Sequence, residues 1–119
     1  MLINTPCLIA NPCDDEYDDM ALLCCHGENG DLFSLSRFPD ENEVEISLGD
    51  EKTVTVTSLK VTFSADRLLV ELDAADAASL GGDPQYEIRH TSDAQDAQDA
   101  DATLRIILDN VGTYVSEIA

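Results

Sequence analysis

Between residues 20 and 90 the chain repeats short segments in which apolar and polar residues alternate, each closed by turn-forming residues. This alternation constrains the fold most, because side chains two positions apart share one face of a β-strand. Segments 44–48 and 68–72 show it most clearly. Segment 20–26 is apolar at nearly every position, which is typical of a strand buried on both faces. The pattern predicts a sheet of short strands.

Turn residues between these segments predict how the strands connect. Asn and Gly accept the positive φ that tight turns require, so we expect hairpins at Asn29-Gly30 and Gly49-Asp50, with a further turn at Ala65-Asp66. Strands that each pair with their predecessor form a β-meander. We expect about five to seven strands, mostly antiparallel. They are predicted in segments 7–10 (closed by Asn11-Pro12), 20–26, 32–38, 44–48, 53–63, 68–72 and 86–90.

Two later segments favour helix. Residues 74–80 are rich in alanine, Asp73 can act as N-cap, and Gly81-Gly82 end the segment. From residue 104 the apolar residues take helical spacing, which predicts a C-terminal helix over 104–117. The β-branched residues of that segment leave a strand as the alternative.

Segment 92–102 is acidic and of low complexity, with a three-residue Asp-Ala-Gln repeat. We expect it to form an exposed loop or the lead-in to a helix. The elements together predict one α+β domain over residues 1–119. Its mainly antiparallel β-meander sheet carries the short helix and the C-terminal helix on one face.

The net charge limits the partners that this protein can bind. The chain has 25 Asp and Glu against 6 Lys and Arg, a formal net charge of −19. Affinity for nucleic acid or an anionic membrane comes from basic side chains, so we expect neither as a partner. A strongly negative field favours encounter with a basic protein. The alternative is that the acidity serves solubility alone.

The cysteines and the first residues bear on the compartment. Four cysteines suit a reducing environment, and the N-terminal residues lack the positive region of a signal peptide. No apolar run approaches the roughly 20 residues of a membrane-spanning helix. We therefore expect a cytoplasmic protein. Cys24 and Cys25 are predicted to point to opposite faces of one strand, with a structural role.

The sequence patterns of catalytic and metal sites are missing. There is no phosphate-binding glycine loop, nucleophile elbow or zinc-protease motif, and His26 and His90 lie far apart in sequence. The cysteines lack the paired spacing of zinc ligands, and the acidic clusters lack the calcium-loop pattern. We expect no enzyme activity, no metal and no cofactor.

The order of elements resembles the immunity protein 10 family of bacterial polymorphic toxin systems. The resemblance covers roughly residues 18 to 118 and implies an α+β protein that neutralises a cognate toxin by binding it. It is carried by segments 32–37, 45–50 and 61–72, by the small-residue helix that ends at Leu80, and by segment 86–89.

The acidic residues that flank the first hairpin are the predicted partner-binding residues, because a hairpin could gather them into one negative surface. Tyr17 is the predicted anchor within them. The full predicted set is Asp14, Asp15, Glu16, Tyr17, Asp18, Asp19, Glu28 and Asp31. Two alternatives stay open for the function: an acidic structural domain, and a DNA mimic that inhibits a nucleic-acid-binding protein.

Overall fold

Ten strands and two helices make up the part of the chain that the computed structural model describes, namely residues 2–6, 8–14, 20–28, 30–49, 52–80 and 82–117. The elements form one α+β domain. In chain order they are β1 (Leu2–Thr5), β2 (Ile9–Asp14), β3 (Met20–His26), β4 (Leu32–Arg37), β5 (Val44–Leu48), β6 (Lys52–Val56), β7 (Leu59–Phe63), β8 (Arg67–Leu72), α1 (Ala74–Leu80), β9 (Gln85–His90), α2 (Ala94–Ile107) and β10 (Thr113–Ser116).

The strands form two five-stranded sheets. The meander sheet has the order β2-β3-β4-β5-β6, and every neighbouring pair in it is antiparallel. The mixed sheet has the order β1-β9-β8-β7-β10, with parallel pairs at both edges. The predicted antiparallel pairing of β3 with β4, β5 with β6 and β7 with β8 is confirmed. Asn29 of the first predicted turn and Asp50 of the second lie outside the described residues.

One hydrophobic core joins the two sheets. Phe33 of the meander sheet and Tyr86 of the mixed sheet lie in it with ring centroids 5.4 Å apart, and both are fully buried. Helix α2 packs along β2 and β3, and α1 packs along β6. The helix contacts come from small side chains such as Ala97 and Ala100, which let the helix backbone approach the strands closely.

Two rows of side chains on the outward face of the meander sheet carry almost no charge. Strand pairing aligns these rows across the five strands, and among their ten side chains only Glu45 is acidic or basic. We call these two rows the neutral face. The first row is Ile9, Cys24, Ser34, Ser47 and Thr53, and the second is Asn11, Leu22, Ser36, Glu45 and Thr55.

The prediction of a single sheet with at most seven strands was wrong. The predicted continuous strand 53–63 breaks at Thr57-Ser58. At this break the chain crosses from the meander sheet to the mixed sheet. Strand β1 was missed because four residues are too short for a clear alternation. Its parallel partner β9 lies more than eighty residues later.

The prediction that Asn11-Pro12 ends the first strand was also wrong. Strand β2 runs through both residues to Asp14, with a register shift between Asn11 and Asp14. Proline cannot donate a ladder hydrogen bond, but an edge strand with an irregular register tolerates it. β2 is such an edge.

The end of the chain differs most from prediction. Segment 92–102 is largely helical rather than a loop, because α2 begins at Ala94, and Asp93 caps it by accepting a hydrogen bond from the Asp96 amide. The helix ends at Ile107 instead of continuing to 117. Gly112 then takes φ +75°, and a Cβ there would come within 2.2 Å of the Leu59 carbonyl oxygen. The alternative of a late strand is confirmed by β10.

Candidate protein-binding site

Of the acidic residues predicted to form one surface at the first hairpin, the structure describes Glu28 and Asp31 in full and Asp14 by its backbone alone. Asp14 ends β2 and pairs with Met20, the first residue of β3. Glu28 is exposed and Asp31 half-buried, both beyond the other end of β3. Six strand steps of about 3.3 Å separate these ends by roughly 20 Å, about twice the Debye length. Residues 15–19, with Tyr17, and the side chain of Asp14 lie outside what the structure describes.

A different surface combines concave shape, apolar area and carboxylates. Three cavities meet at Phe38, the half-buried residue that follows β4. The first, of about 280 Å³, lies between this residue and the last turn of α2. The second, of about 400 Å³, is lined by residues 38–41. The third, of about 180 Å³, reaches the end of the neutral face at Ser36 and Thr55.

The first cavity has a mainly apolar lining, whereas the other two are lined mainly by polar atoms that include carboxylates. Ile106 leaves 47% of its surface exposed beside Phe38 and Pro39. We call this region the Phe38 surface. It consists of Phe38, Pro39, Ile106, the carboxylates of Asp40, Glu41, Glu43, Glu45 and Asp109, and the basic residues Arg37 and Arg105.

Arg37 holds the two halves of this surface together. Its guanidinium donates to the main-chain oxygens of Ile106 and Ile107, at 3.3 Å each, and to that of Asp109. These oxygens belong to the C-terminal end of α2, where helical carbonyls lack internal partners and a cation is favoured by the helix dipole. The Arg37 Nε also donates to the Glu41 main-chain oxygen at 2.9 Å. The loop after β4 is therefore fixed to the end of α2.

The charge of Arg37 is thus directed at main-chain oxygens, and the rim carboxylates remain available. The described residues form three ion pairs between a basic side chain and a carboxylate, and these involve only Glu87 and Asp101. None of the five rim carboxylates takes part in them. With five carboxylates against the two guanidinium groups of Arg37 and Arg105, the Phe38 surface carries a net negative charge.

A second polar cluster supports the same helix from the side. The Tyr114 hydroxyl donates to Asp101 at 2.6 Å, and the Arg105 Nε donates to the other carboxylate oxygen at 3.0 Å. Burial raises the pKa of Tyr114, and the hydrogen bond to the Asp101 carboxylate raises it further. Burial also acts to raise the pKa of Asp101, but the hydrogen bonds from Tyr114 and Arg105 outweigh it, and the pKa of Asp101 is lowered.

Among the described residues, only the contact between His90 and Ser92 resembles a catalytic pair. Its hydrogen bonds link separate chain segments in the core. His90 Nδ1 lies 3.0 Å from the Ser92 hydroxyl, and Nε2 lies 3.2 Å from the Ser64 main-chain oxygen. The ring stacks on Phe63 and is buried. The Ser92 oxygen also accepts a hydrogen bond from the Leu8 amide. Burial lowers the pKa of His90. A neutral imidazole therefore joins three chain segments in the core.

The prediction that Cys24 and Cys25 point to opposite faces of one strand is confirmed. Cys25 is buried in the core, and Cys24 lies partly exposed on the opposite face of β3. Burial raises the pKa of the Cys24 thiol. Among the described side chains no group of three His, Cys, Asp or Glu residues is arranged to hold a metal ion.

The outward face of the mixed sheet holds half of the basic residues. Arg67 and Arg89 both pair with Glu87, at 3.3 and 3.2 Å, and Lys60 lies opposite Glu71 on the neighbouring strand. A cavity of about 370 Å³ lies between the arginines and Ser64. This face is polar, with charges of both signs in contact.

One signal of the Phe38 surface is present in the sequence. Residues 38–43 place an aromatic residue and a proline directly before three carboxylates. Alternation assigns Phe38 to the predicted strand 32–38, and the apolar residues of α2 come close to it only in the folded chain. Helical spacing leaves Ile106 off the apolar stripe that contains Leu104 and Ile107, and the structure agrees, because Ile106 is exposed and Ile107 is buried.

Comparison with known proteins identifies no relative: no family model matches the chain, and no curated protein or solved structure shows significant similarity to it. Within the described residues, no helix has both the length and the apolar character needed to cross a membrane.

Proposed function

We propose that this protein binds and neutralises a basic protein partner through the Phe38 surface, without catalysis of its own. The observation that carries the proposal is the meeting of three cavities at Phe38, of which the one beside α2 is mainly apolar, with five carboxylates among their lining residues. Protein interfaces concentrate their binding energy in buried apolar anchors that a polar rim shields from water. Phe38 and Ile106 supply such apolar area.

The carboxylates would act mainly on the rate of encounter. A negative surface attracts a basic partner over about a Debye length, and steering of this kind raises association rates by roughly ten- to a thousandfold. Arg37 supports the same role, because it fixes the loop and the helix end before a partner arrives. A surface held in its binding conformation loses less conformational entropy on association.

The partner that we propose is a toxin domain. This part of the proposal rests on the resemblance of segments 32–37, 45–50 and 61–72 to the immunity protein 10 family, together with the net charge of −19. A toxin that acts on nucleic acid presents a basic surface, which an acidic protein of this kind can cover. The proposed location is the cytoplasm, where such a protein would protect its own cell.

The test uses the product of the gene that neighbours this one in its native host, expressed with and without this protein. We expect that product to inhibit growth, and co-expression of the wild-type chain to restore it. Association rates are then measured by surface binding for two variants that each remove four negative charges. One variant is D40N/E41Q/E43Q/D109N on the Phe38 surface, and its matched control is D14N/D15N/D18N/D19N before the first hairpin.

The two variants have the same net charge, so a difference between them reports location. We expect the Phe38-surface variant to associate about tenfold more slowly at low salt, and the control to change much less. A larger decrease in association rate for the control variant would place the binding site at the residues predicted from the sequence. Equal effects would show that total charge alone matters and would contradict a specific surface.

A further inference from the structure

The neutral face is unusual for a protein with this charge. About a quarter of the residues in the chain are charged, yet one side chain in ten is ionised in the two rows that cross the meander sheet. Its outward side chains are mostly hydroxyls on β4, β5 and β6, with Glu45 as the exception, and mostly apolar groups on β2 and β3, with Asn11 as the exception. Ile9 leaves 48% of its surface exposed, and Leu22 and Cys24 are partly exposed.

We propose that the neutral face is the docking surface for a second copy of this chain, giving a weak symmetric dimer. In such a dimer the same patch of both copies meets itself, so every charge on the patch approaches an identical charge. Two copies that each carry −19 repel one another at any acidic face. The neutral face avoids that repulsion.

The outward face of the mixed sheet is a less favourable contact for a second copy. Arg67 and Arg89 are already paired with Glu87 there, and both arginines remain exposed to water. Burying them against a second copy would remove water from three charged groups, which is unfavourable unless all of them gain new partners. Burial costs far less free energy for hydroxyl and apolar groups, such as those of Ser34, Ser47 and Leu22, than for charged groups.

The size of the neutral face indicates a weak association. Five strands spaced about 4.8 Å apart make the neutral face roughly 20 to 25 Å wide, but its two rows lie only about 7 Å apart along the strands, so the contact is smaller than that of a stable dimer. We expect dissociation on the order of 100 µM, a range typical of small and transient contacts. Added salt should strengthen this dimer, because it screens the repulsion between two negative molecules.

Sedimentation equilibrium of the wild-type chain tests the proposal. We expect the average mass to rise from 12.9 kDa towards twice that value as protein concentration increases, and to rise further with added NaCl. A wild-type chain that stays monomeric up to about 1 mM at high salt would overturn the proposal.

A matched pair of substitutions locates the contact. Ile9→Glu places a charge on the neutral face, and Leu2→Glu places the same charge on the mixed sheet; both residues lie on edge strands and both are 48% exposed. We expect Ile9→Glu to weaken self-association at least tenfold and Leu2→Glu to leave it nearly unchanged. Ser34→Glu, on the central strand β4, should act like Ile9→Glu. Equal behaviour of Ile9→Glu and Leu2→Glu would contradict the proposed location.

A second measurement does not depend on a substitution that could affect folding. The partly exposed Cys24 thiol lies on the neutral face, so its alkylation by iodoacetamide should slow as wild-type concentration rises past the dissociation constant. Peptide mass spectrometry separates Cys24 from the other thiols. A rate of Cys24 alkylation that is independent of concentration, in samples that self-associate, would place the contact elsewhere. Both tests can fail while the Phe38 surface still binds a partner, so the two proposals are distinguishable.

Discussion

The Phe38 surface and the neutral face adjoin at Glu45, but they differ in shape, charge and construction. The Phe38 surface is concave, acidic and assembled from a loop and the end of α2, two segments that are joined by Arg37. The neutral face is a regular five-stranded sheet surface whose side chains are fixed by strand pairing alone. The Phe38 surface depends on a few polar contacts, whereas the neutral face depends on the repeated main-chain hydrogen bonds between neighbouring strands.

The contrast shows that a net charge of −19 describes the whole molecule but not its surfaces. The described carboxylates lie mainly in connections and on helices. In the neutral face, the outward positions of β4, β5 and β6 carry mostly Ser and Thr instead, which suit a pleated surface and avoid repulsion between adjacent strands. Association at the two surfaces should therefore respond to added salt in opposite directions.

The largest expected effect comes from Arg37→Gln, which breaks the Phe38 surface and leaves the neutral face unchanged. The variant loses charge-assisted hydrogen bonds to the end of α2, and each such bond contributes about 1.5 to 3 kcal/mol. We expect the free energy of unfolding to fall by about 2 to 3 kcal/mol, measured by urea denaturation. Arg105→Gln is the matched control. It removes an exposed guanidinium from α2 and should lower the free energy of unfolding by a smaller amount. Equal losses would show that Arg37 has no special role.

Salt provides the next largest effect and separates the two surfaces by sign. Raising NaCl from about 20 to 200 mM should slow association of the basic partner about tenfold, because the steering field is screened. The same change should strengthen self-association at the neutral face. Stopped-flow binding and sedimentation equilibrium measure the two responses on one preparation. Responses of the same sign would contradict the assignment of different physical character to the two surfaces.

The smallest expected effect concerns the polar cluster beside α2. Tyr114→Phe removes the hydroxyl that donates to Asp101 and should lower the free energy of unfolding by about 1 kcal/mol at pH 7. The pKa of Asp101 is lowered in the folded protein, so its stabilising effect is present above the ordinary value of 3.8 and is lost as the pH falls through the folded value. The deficit of the variant should therefore shrink in acid.

Tyr86→Phe is the matched control for that variant. It also removes one hydroxyl from a tyrosine, but the Tyr86 hydroxyl is buried and has no hydrogen-bond partner among the described residues. We expect no loss of stability, since an unpaired buried hydroxyl contributes nothing favourable. Urea denaturation of both variants between pH 3 and pH 7 measures the difference. A pH-independent deficit for Tyr114→Phe would show that the hydroxyl acts without the Asp101 charge.

The sequence by itself determined the α+β class, the central strands β3, β4, β5 and β8, the hairpins between them and helix α1. These elements depend on local properties: alternation of period two, turn residues and alanine content act within a few residues of one another. The burial of Cys25 against the partial exposure of Cys24 followed from the same period, because neighbouring strand residues point to opposite faces.

Only the tertiary structure decided the division into two sheets, the start of α2, strand β10 and the position of the Phe38 surface. Each depends on contacts between distant parts of the chain. β10 forms because Gly112 passes the Leu59 backbone closely and aligns the chain with β7. The Phe38 surface exists because Arg37 reaches carbonyl groups about seventy residues away. Local propensity carries no information about such pairs, since their energies arise only when folding brings the two segments into contact.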